Sequence, residues 1–406
     1  MSRIKYLIKY TCLIIGVSLL LFSYSCDSPG NKKDTSAVKS DSIVSTFKPQ
    51  PKKVEKQNVT TLEIGDNAPD FNLPDVNGRF YSLKDFRDAK VLVIIFTRNH
   101  CPTAQAYEDR IIQFTHEYKD KGVSVVTIMP NSSYSLLLEE CGYSDLDDSY
   151  ESMVIRAKDK SFNFPYLYDG DNQAVSINYG PAATPHAFVF DKRRKLAYTG
   201  RIDASEKPGT GNAEDLRNAV NALLTGKTIE NPVNKVFGCS VKWAWKTDWT
   251  DKVNNDWNNK LVMLLEVDRD FIKDVIANKS DKLRLVNVWA TWCAPCVIEY
   301  PELIRLHRMY QNRAFEFVSV SADKPEKRDA VLKFLQSNNS AIRNYIYNSD
   351  NSYKLIESID PQWSGPIPYT LLIEPGGKII YKNQGIVDIL ELRKIIVEHP
   401  LLGRYY

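Results

Sequence analysis

The sequence predicts an α/β protein of two tandem domains, and three observations carry that prediction. Its 406 residues are enough for two domains of ordinary size once a polar opening stretch is set aside. Short apolar runs rich in β-branched residues alternate with stretches of helical spacing. The order of these pieces also repeats. Each half has a strand, a cysteine-bearing turn and a helix, then an X-Pro step, a strand, a turn, another strand and a closing helix.

The chain opens with Arg3, Lys5 and Lys9, then the apolar run Thr11 to Phe22, then Ser23-Tyr24-Ser25-Cys26. The run is too short to span a bilayer comfortably, so residues 1–25 read as a signal peptide. The small residues before Cys26 resemble a bacterial lipobox, from which Tyr24 departs. That resemblance makes Cys26 the lipid-bearing first residue of an exported lipoprotein on a periplasm-facing membrane; ordinary cleavage leaving a free cysteine is the other reading. Residues 26–60 are rich in Ser, Lys, Asp, Pro and Asn, which predicts a flexible tether. Basic side chains number 53 and acidic ones 50, and loss of Arg3, Lys5 and Lys9 leaves 50 of each. A balanced mature chain is a poor match for nucleic acid, so none is expected as a partner.

The first predicted domain covers 61–226. Val91 to Phe96 reads as a buried strand, Asn99-His100-Cys101-Pro102 follows, and Tyr107 to Tyr118 continues at helical spacing. Thr184-Pro185 precedes the strand His186 to Phe190, a charged turn Asp191 to Lys195, the strand Leu196 to Tyr198 and the helix Ala213 to Leu224. The opening Gly65-Asp66-Asn67-Ala68-Pro69-Asp70-Phe71, through Gly78, resembles the start of the redoxin and peroxiredoxin families, and Cys101-Pro102-Thr103 resembles the peroxiredoxin Cys-Pro-Thr. The resemblance implies a redoxin domain with Cys101 as a catalytic thiol. The chain departs from that pattern at Arg98 and Ile94, where peroxiredoxins have threonine and proline. Arg98 also stands where a C-x-x-C would place its first sulfur, although a guanidinium there stabilises a thiolate. Three readings of Cys101 remain open: a reactive single thiol, half of a structural disulfide, and a buried relic.

Of seven cysteines, five remain after Cys12 leaves with the signal and Cys26 is acylated, so one is unpaired even if two bridge. Cys239, in Phe237-Gly238-Cys239-Ser240, is a candidate resolving partner for Cys101, with a simple packed cysteine as the equal alternative. Cys141 has no assigned partner. The connector, 227–260, carries Trp243, Trp245, Trp249 and Trp257 among Asn and Asp, which predicts packing on a domain surface more than a binding role. The five histidines show no metal-ligand spacing, and no phosphate-binding, flavin or nicotinamide motif occurs, so neither metal nor cofactor is expected beyond a redox-active disulfide.

The second predicted domain covers 261–406. Leu283 to Trp289 reads as a buried strand ending in Trp292-Cys293-Ala294-Pro295-Cys296, and Val297, Tyr300, Leu303, Ile304 and Met309 follow at helical spacing. The two sulfurs therefore sit where a strand hands over to a helix. Unpaired N–H groups and the positive end of the helix dipole favour the thiolate of Cys293, the expected nucleophile. Pro295 suits the first turn, and Cys296, one turn in, is placed to resolve a mixed disulfide. Zinc would need four ligands and finds no second Cys or His pair nearby; an inert bridge is the remaining alternative. Ile367-Pro368, the strand Tyr369 to Ile373, Pro375-Gly376-Gly377, Lys378 to Tyr381 and the helix Ile389 to Val397 complete the repeat.

Through WATWCAPC and Ile367-Pro368, this half resembles the TlpA/ResA-type thiol-disulfide oxidoreductases of the thioredoxin superfamily. The resemblance implies two tandem thioredoxin-like domains, each a mixed sheet flanked by helices. It also implies substrate contact at Trp292, Ile367 and Pro368, the last two in a cis-proline loop, with Thr184 and Pro185 as their first-half counterparts. Glu299 matches the active-site glutamate of ResA-type proteins, an exposed helix acid being the plain alternative. Thioredoxin has a buried Asp in the strand before its motif, where this chain has Asn287. The expected partners are substrate proteins with disulfides and a membrane thiol-disulfide electron donor. Two other readings stay in play. One is a peroxidase using Cys101, with the second domain as its reductant. The other is a first half that only binds partners.

Overall fold

Val91 to Phe96 and Leu283 to Trp289 are buried at every position, and each becomes the centre of a sheet. The computed structural model describes residues 47–404. The signal peptide, Cys26 and most of the expected tether lie outside the described residues. Among those described, no helix is long and apolar enough to cross a membrane.

The first half runs β1 (Asn72–Pro74), β2 (Phe80–Ser82), β3 (Val91–Phe96), α1 (Pro102–Tyr118), β4 (Val123–Met129), α2 (Tyr150–Asp159), β5 (Tyr166–Tyr168), α3 (Ala174–Tyr179), β6 (His186–Phe190), β7 (Leu196–Gly200) and α4 (Glu214–Leu224). After the connector helix α5 (Thr247–Asn258), the second half opens with β8 (Leu265–Val267), α6 (Arg269–Ala277), β9 (Leu283–Trp289), α7 (Ala294–Tyr310) and β10 (Phe315–Ser321). It continues with α8 (Arg328–Ser337), β11 (Arg343–Tyr347), α9 (Ser352–Ile359), β12 (Tyr369–Ile373), β13 (Ile379–Gln384) and α10 (Ile389–Glu398).

The repeat read in the sequence is a repeat of topology. One sheet is ordered β5-β4-β3-β6-β7; the other is ordered β11-β10-β9-β12-β13, with β8 added beyond β11. In both, the central strand has a parallel neighbour on one side and an antiparallel one on the other. These are two α/β units of thioredoxin-like fold. Alternation along the central strands divides the core, because successive side chains point to opposite faces. Val91, Val93 and Ile95 pack with residues of α1 and α4, whereas Leu92, Ile94 and Phe96 pack with residues of α3 and β1. On β9, Leu283, Leu285 and Trp289 pack with residues of α7 and α10. Asn287 is on that same face by alternation, which aims a polar amide at α7. Arg284 is the charged exception in β9, and it is bonded to Glu316 of β10 at 2.7 Å.

The halves share their packing. Cys141 is buried in the second half's core beside Met309 and Tyr310, the Tyr310 hydroxyl donates to the Ser144 carbonyl at 2.9 Å, and Arg308 pairs with Glu139 at 2.9 Å. Two expectations shift. The tether was expected through residue 60, but the Phe47 ring already lies 5.0 Å from Tyr150 and 6.0 Å from Tyr168, between centroids. The connector is also more than a link. Trp257 is buried in the second core and Trp243 stacks on Trp245, whereas Trp249 is exposed. Upstream of these, residues 232–242 are hydrogen-bonded into the first half at Thr199, Thr184, Ser132 and Gln173.

Candidate active site

β9 delivers the chain to a loop whose geometry is fixed by Asp323, which accepts from the Thr291 N–H at 2.8 Å and the Thr291 hydroxyl at 2.6 Å. Cys293 then caps α7: its sulfur accepts from the Cys296 N–H at 3.3 Å. This is the helix-start placement that favours negative charge on the first sulfur. Cys293 and Cys296 are joined as a disulfide. Cys296 is fully buried and Cys293 is 5% exposed, so a partner meets Cys293 first. Trp292 beside it is 70% exposed, with Ile298 and Ile386 as exposed apolar neighbours in sequence to the site's elements. Val297, expected on the buried stripe, is exposed, because the helical face next to the disulfide looks outward.

The Ile367-Pro368 bond is cis, and the Ile367 carbonyl oxygen is 3.6 Å from the Cys293 sulfur. Glu299 is buried, not an exposed helix acid. Its Oε1 accepts from the Asn287 amide at 3.0 Å and its Oε2 from the Val387 N–H at 3.0 Å. Burial pushes the Glu299 carboxyl above its ordinary range, against the Val387 N–H and the Asn287 amide, which favour the anion. This buried acid sits one helical turn along from Cys296, on the same face of α7.

The first half repeats this geometry with different chemistry. Cys101 caps α1 and lies 3.6 Å from the Thr184 carbonyl oxygen, and the Thr184-Pro185 bond is also cis. Here Cys101 is a free thiol with a second free thiol beside it. Its sulfur is 2.8 Å from that of Cys239. Burial works to raise the Cys101 pKa, but the hydrogen bond from Cys239, the Arg98 guanidinium and the Ala104 N–H bring it well below the ordinary thiol range. Cys239 moves the other way: donating to Cys101, together with burial, pushes its thiol up. Cys141 is packed in the core, and burial pushes its thiol well up.

One expectation fails at this point. Thr184 and Pro185 were expected to contact substrate, but Thr184 pairs antiparallel with Cys239 through its N–H and its carbonyl. The strand position beside the cis proline is therefore filled by the chain itself. Among the described residues, no strand pairs with Ile367, so the corresponding position in the second half is open.

Several partners had no signal in the sequence. Asp148 accepts from the N–H groups of Asn99 and His100, from the His100 ring at 2.6 Å and from Asn131. Burial works to raise its pKa, but the His100 ring, then Arg98 and Asn131, hold it well below the usual carboxylate range. It lies 48 residues from His100, beyond any local pattern.

A family model described as the AhpC/TSA family matches residues 64–199 and again 267–382. The chain is similar to the thiol-disulfide oxidoreductase ResA of Bacillus subtilis, at 30% identity over 147 residues, 36% of this chain and 71% of that one. ResA of Bacillus cereus is 26% identical over 139 residues, 33% of this chain and 70% of the relative. A solved structure, the hypothetical protein SMc02350 from Sinorhizobium meliloti, is 32% identical, with a TM-score of 0.41 over 46% of this chain and 98% of that chain.

Proposed function

We propose that this chain, which belongs to the AhpC/TSA family in both halves and is a thiol-disulfide oxidoreductase of the thioredoxin superfamily, reduces disulfides of partner proteins through Cys293 and Cys296. The observation that carries the reading is the disulfide at the N-terminus of α7, with its more accessible sulfur facing an open cis-proline loop and a buried carboxyl behind it.

In the reduced enzyme, the Cys293 thiolate attacks one sulfur of the partner's disulfide. A Cys293–partner bond forms, the partner's own S–S bond breaks, and the released partner thiolate takes a proton. Cys296 then attacks the Cys293 sulfur, which closes the disulfide seen here and frees the second partner thiol. Two electrons pass to the partner, and a dithiol donor must restore them. Through Glu299, the proton of Cys296 passes to the released partner thiolate, which leaves Cys296 as the thiolate that closes the disulfide. The substrate would lie as an extended segment against Ile367, its cysteine facing Cys293, in the position that Cys239 takes against Thr184 in the first half. Trp292 offers that segment an exposed apolar face. We further propose that Cys26 carries a lipid anchor that holds the exported enzyme at the membrane, where its electron donor also resides.

Insulin reduction with dithiothreitol as donor tests the core of the reading. Cys293→Ala is expected to abolish turnover, and Cys296→Ala to hold partners as mixed disulfides visible on a non-reducing gel. A Cys293→Ala enzyme that keeps wild-type turnover would overturn the assignment.

A further inference from the structure

We propose that Cys101 and Cys239 form a second dithiol–disulfide couple, in which Cys239 meets a partner's disulfide and Cys101 closes the bridge. It shares with the proposed function only the class of reaction, and it uses none of the same sulfurs.

Three observations carry it. The sulfurs are 2.8 Å apart, about 0.8 Å more than a covalent S–S bond. Both are held where they are: Cys101 at the start of α1, and Cys239 by two backbone hydrogen bonds to Thr184. Next, Arg98 is only 1% exposed, and although its Nη1 donates to the Ser240 carbonyl at 2.9 Å, its Nε and Nη2 make no hydrogen bond. The Cys101 sulfur is foremost among the charges it faces. A buried guanidinium calls for an anion, and a thiolate at Cys101 supplies one. The third observation is access. Cys101 is fully buried, whereas Cys239 is half-buried and lines a cleft of about 590 Å³ with His100, Thr103, Tyr143, Glu206 and Lys242. A disulfide arriving through that cleft reaches Cys239 and cannot reach Cys101.

The resting pair is a Cys101 thiolate hydrogen-bonded by the Cys239 thiol. As the partner disulfide approaches, the proton crosses from Cys239 to Cys101. The Cys239 thiolate attacks one partner sulfur, the Cys239–partner bond forms, and the partner's S–S bond breaks to release a thiolate. That thiolate takes the proton from Cys101, which then attacks the Cys239 sulfur. The Cys101–Cys239 bond forms, the Cys239–partner bond breaks, and the second partner thiolate leaves. Two sulfurs of the chain are oxidised, two of the partner are reduced, and net charge is conserved. A dithiol drives the reverse sequence.

The test uses the full chain carrying Cys293→Ala and Cys296→Ala, with oxidised glutathione as the probe and mass spectrometry of the digested protein as the readout. The expected result is a peptide joining Cys101 to Cys239, two hydrogens lighter than the dithiol, with two glutathiones released per chain. Adding Cys101→Ala should stop the reaction at glutathione on Cys239. Adding Cys239→Ala should leave Cys101 unmodified. Absence of the bridge in the Cys293→Ala/Cys296→Ala protein overturns the proposal, and so does glutathione on Cys101 once Cys239 is gone. The first arm alters neither sulfur of the pair, so it decides even if a later variant misfolds. Loss of insulin reduction with the bridge intact would count against the proposed function and not against this pair.

Discussion

Glu299 is held by two donors, the Asn287 amide and the Val387 N–H, yet burial favours its neutral form. The Asn287 Oδ1 is buried without a hydrogen-bond partner. Turning that amide would let the same residue accept from a protonated Glu299, so one asparagine can serve either protonation state. Glu299→Gln removes the charge and keeps the shape, and the same turn of Asn287 accommodates it. A nearby carboxylate disfavours a second negative charge, so the variant should lower the apparent pKa of the reduced thiols by roughly half a unit to one unit, within the range that neighbouring charges produce. Iodoacetamide alkylation rates measured across pH would show the shift; curves that superimpose on wild type would reduce Glu299 to a structural acid. The sequence placed Glu299 on the right helical face, because a spacing of three residues fixes direction. Its burial depends on Val387, which is 88 residues away.

At the scale of elements, legibility followed continuity. Val91 to Phe96, His186 to Phe190, Leu283 to Trp289 and Tyr369 to Ile373 emerge with the expected bounds, because each is an unbroken run buried on both faces. The helix expected from Tyr107 begins at Pro102, since a proline at the first helical position, and not apolar spacing, opens its first turn. The seat of Cys239 was invisible, because two backbone hydrogen bonds leave no periodic trace. Gly238 makes that seat possible. Its φ is +141°, and a Cβ there would come within 2.1 Å of the Thr184 carbonyl oxygen. Gly238→Ala must therefore push residues 237–240 off Thr184 and carry Cys239 away from Cys101. The expected outcome is at least a tenfold slower closure of the Cys101–Cys239 bridge under oxidised glutathione, the size of effect that a modest misplacement of reacting groups produces. Insulin reduction through Cys293 and Cys296 should be unchanged. Equal bridge formation in both proteins would show that the bridge does not depend on this pairing.

The whole molecule joins two sheets through side chains that belong to both halves, such as Glu139 with Arg308 and Ser144 with Tyr310, so the halves should lose stability together. A Cys26→Ala chain tests the proposed anchor: with no lipid it should fractionate with soluble proteins, and membrane retention in high salt would count against the lipid. Acid should act on both sheets at once. His186 is buried in β6, its Nε2 is 2.9 Å from the Thr199 hydroxyl and its Nδ1 accepts from the Ala182 N–H at 3.2 Å; burial lowers its pKa from 6.5 to about 3. His307 in α7 lies between Trp257 and Phe315, and burial, with Lys260 and Lys282 against Glu316, lowers its pKa from 6.5 to about 4. Both pKa values are depressed on folding, so the unfolded chain binds the extra protons. The stability that these neutral rings contribute is complete above about pH 6.5 and falls as pH drops towards 4 and 3. The slope approaches about 1.4 kcal/mol per pH unit for each ring within its window. Urea midpoints measured between pH 7.5 and 4, values chosen to bracket roughly that window, should fall in a single transition common to tryptophan fluorescence and circular dichroism. Burial raises the Asp169 carboxyl from 3.8 to about 7, which opposes the two rings across the same window, so substituting His186 by Gln, which keeps one donor and one acceptor but cannot titrate, should lower the slope by one ring's share, about 1.4 kcal/mol per pH unit at most. A slope unchanged by that substitution would mean that His186 is already solvated and charged in the folded protein.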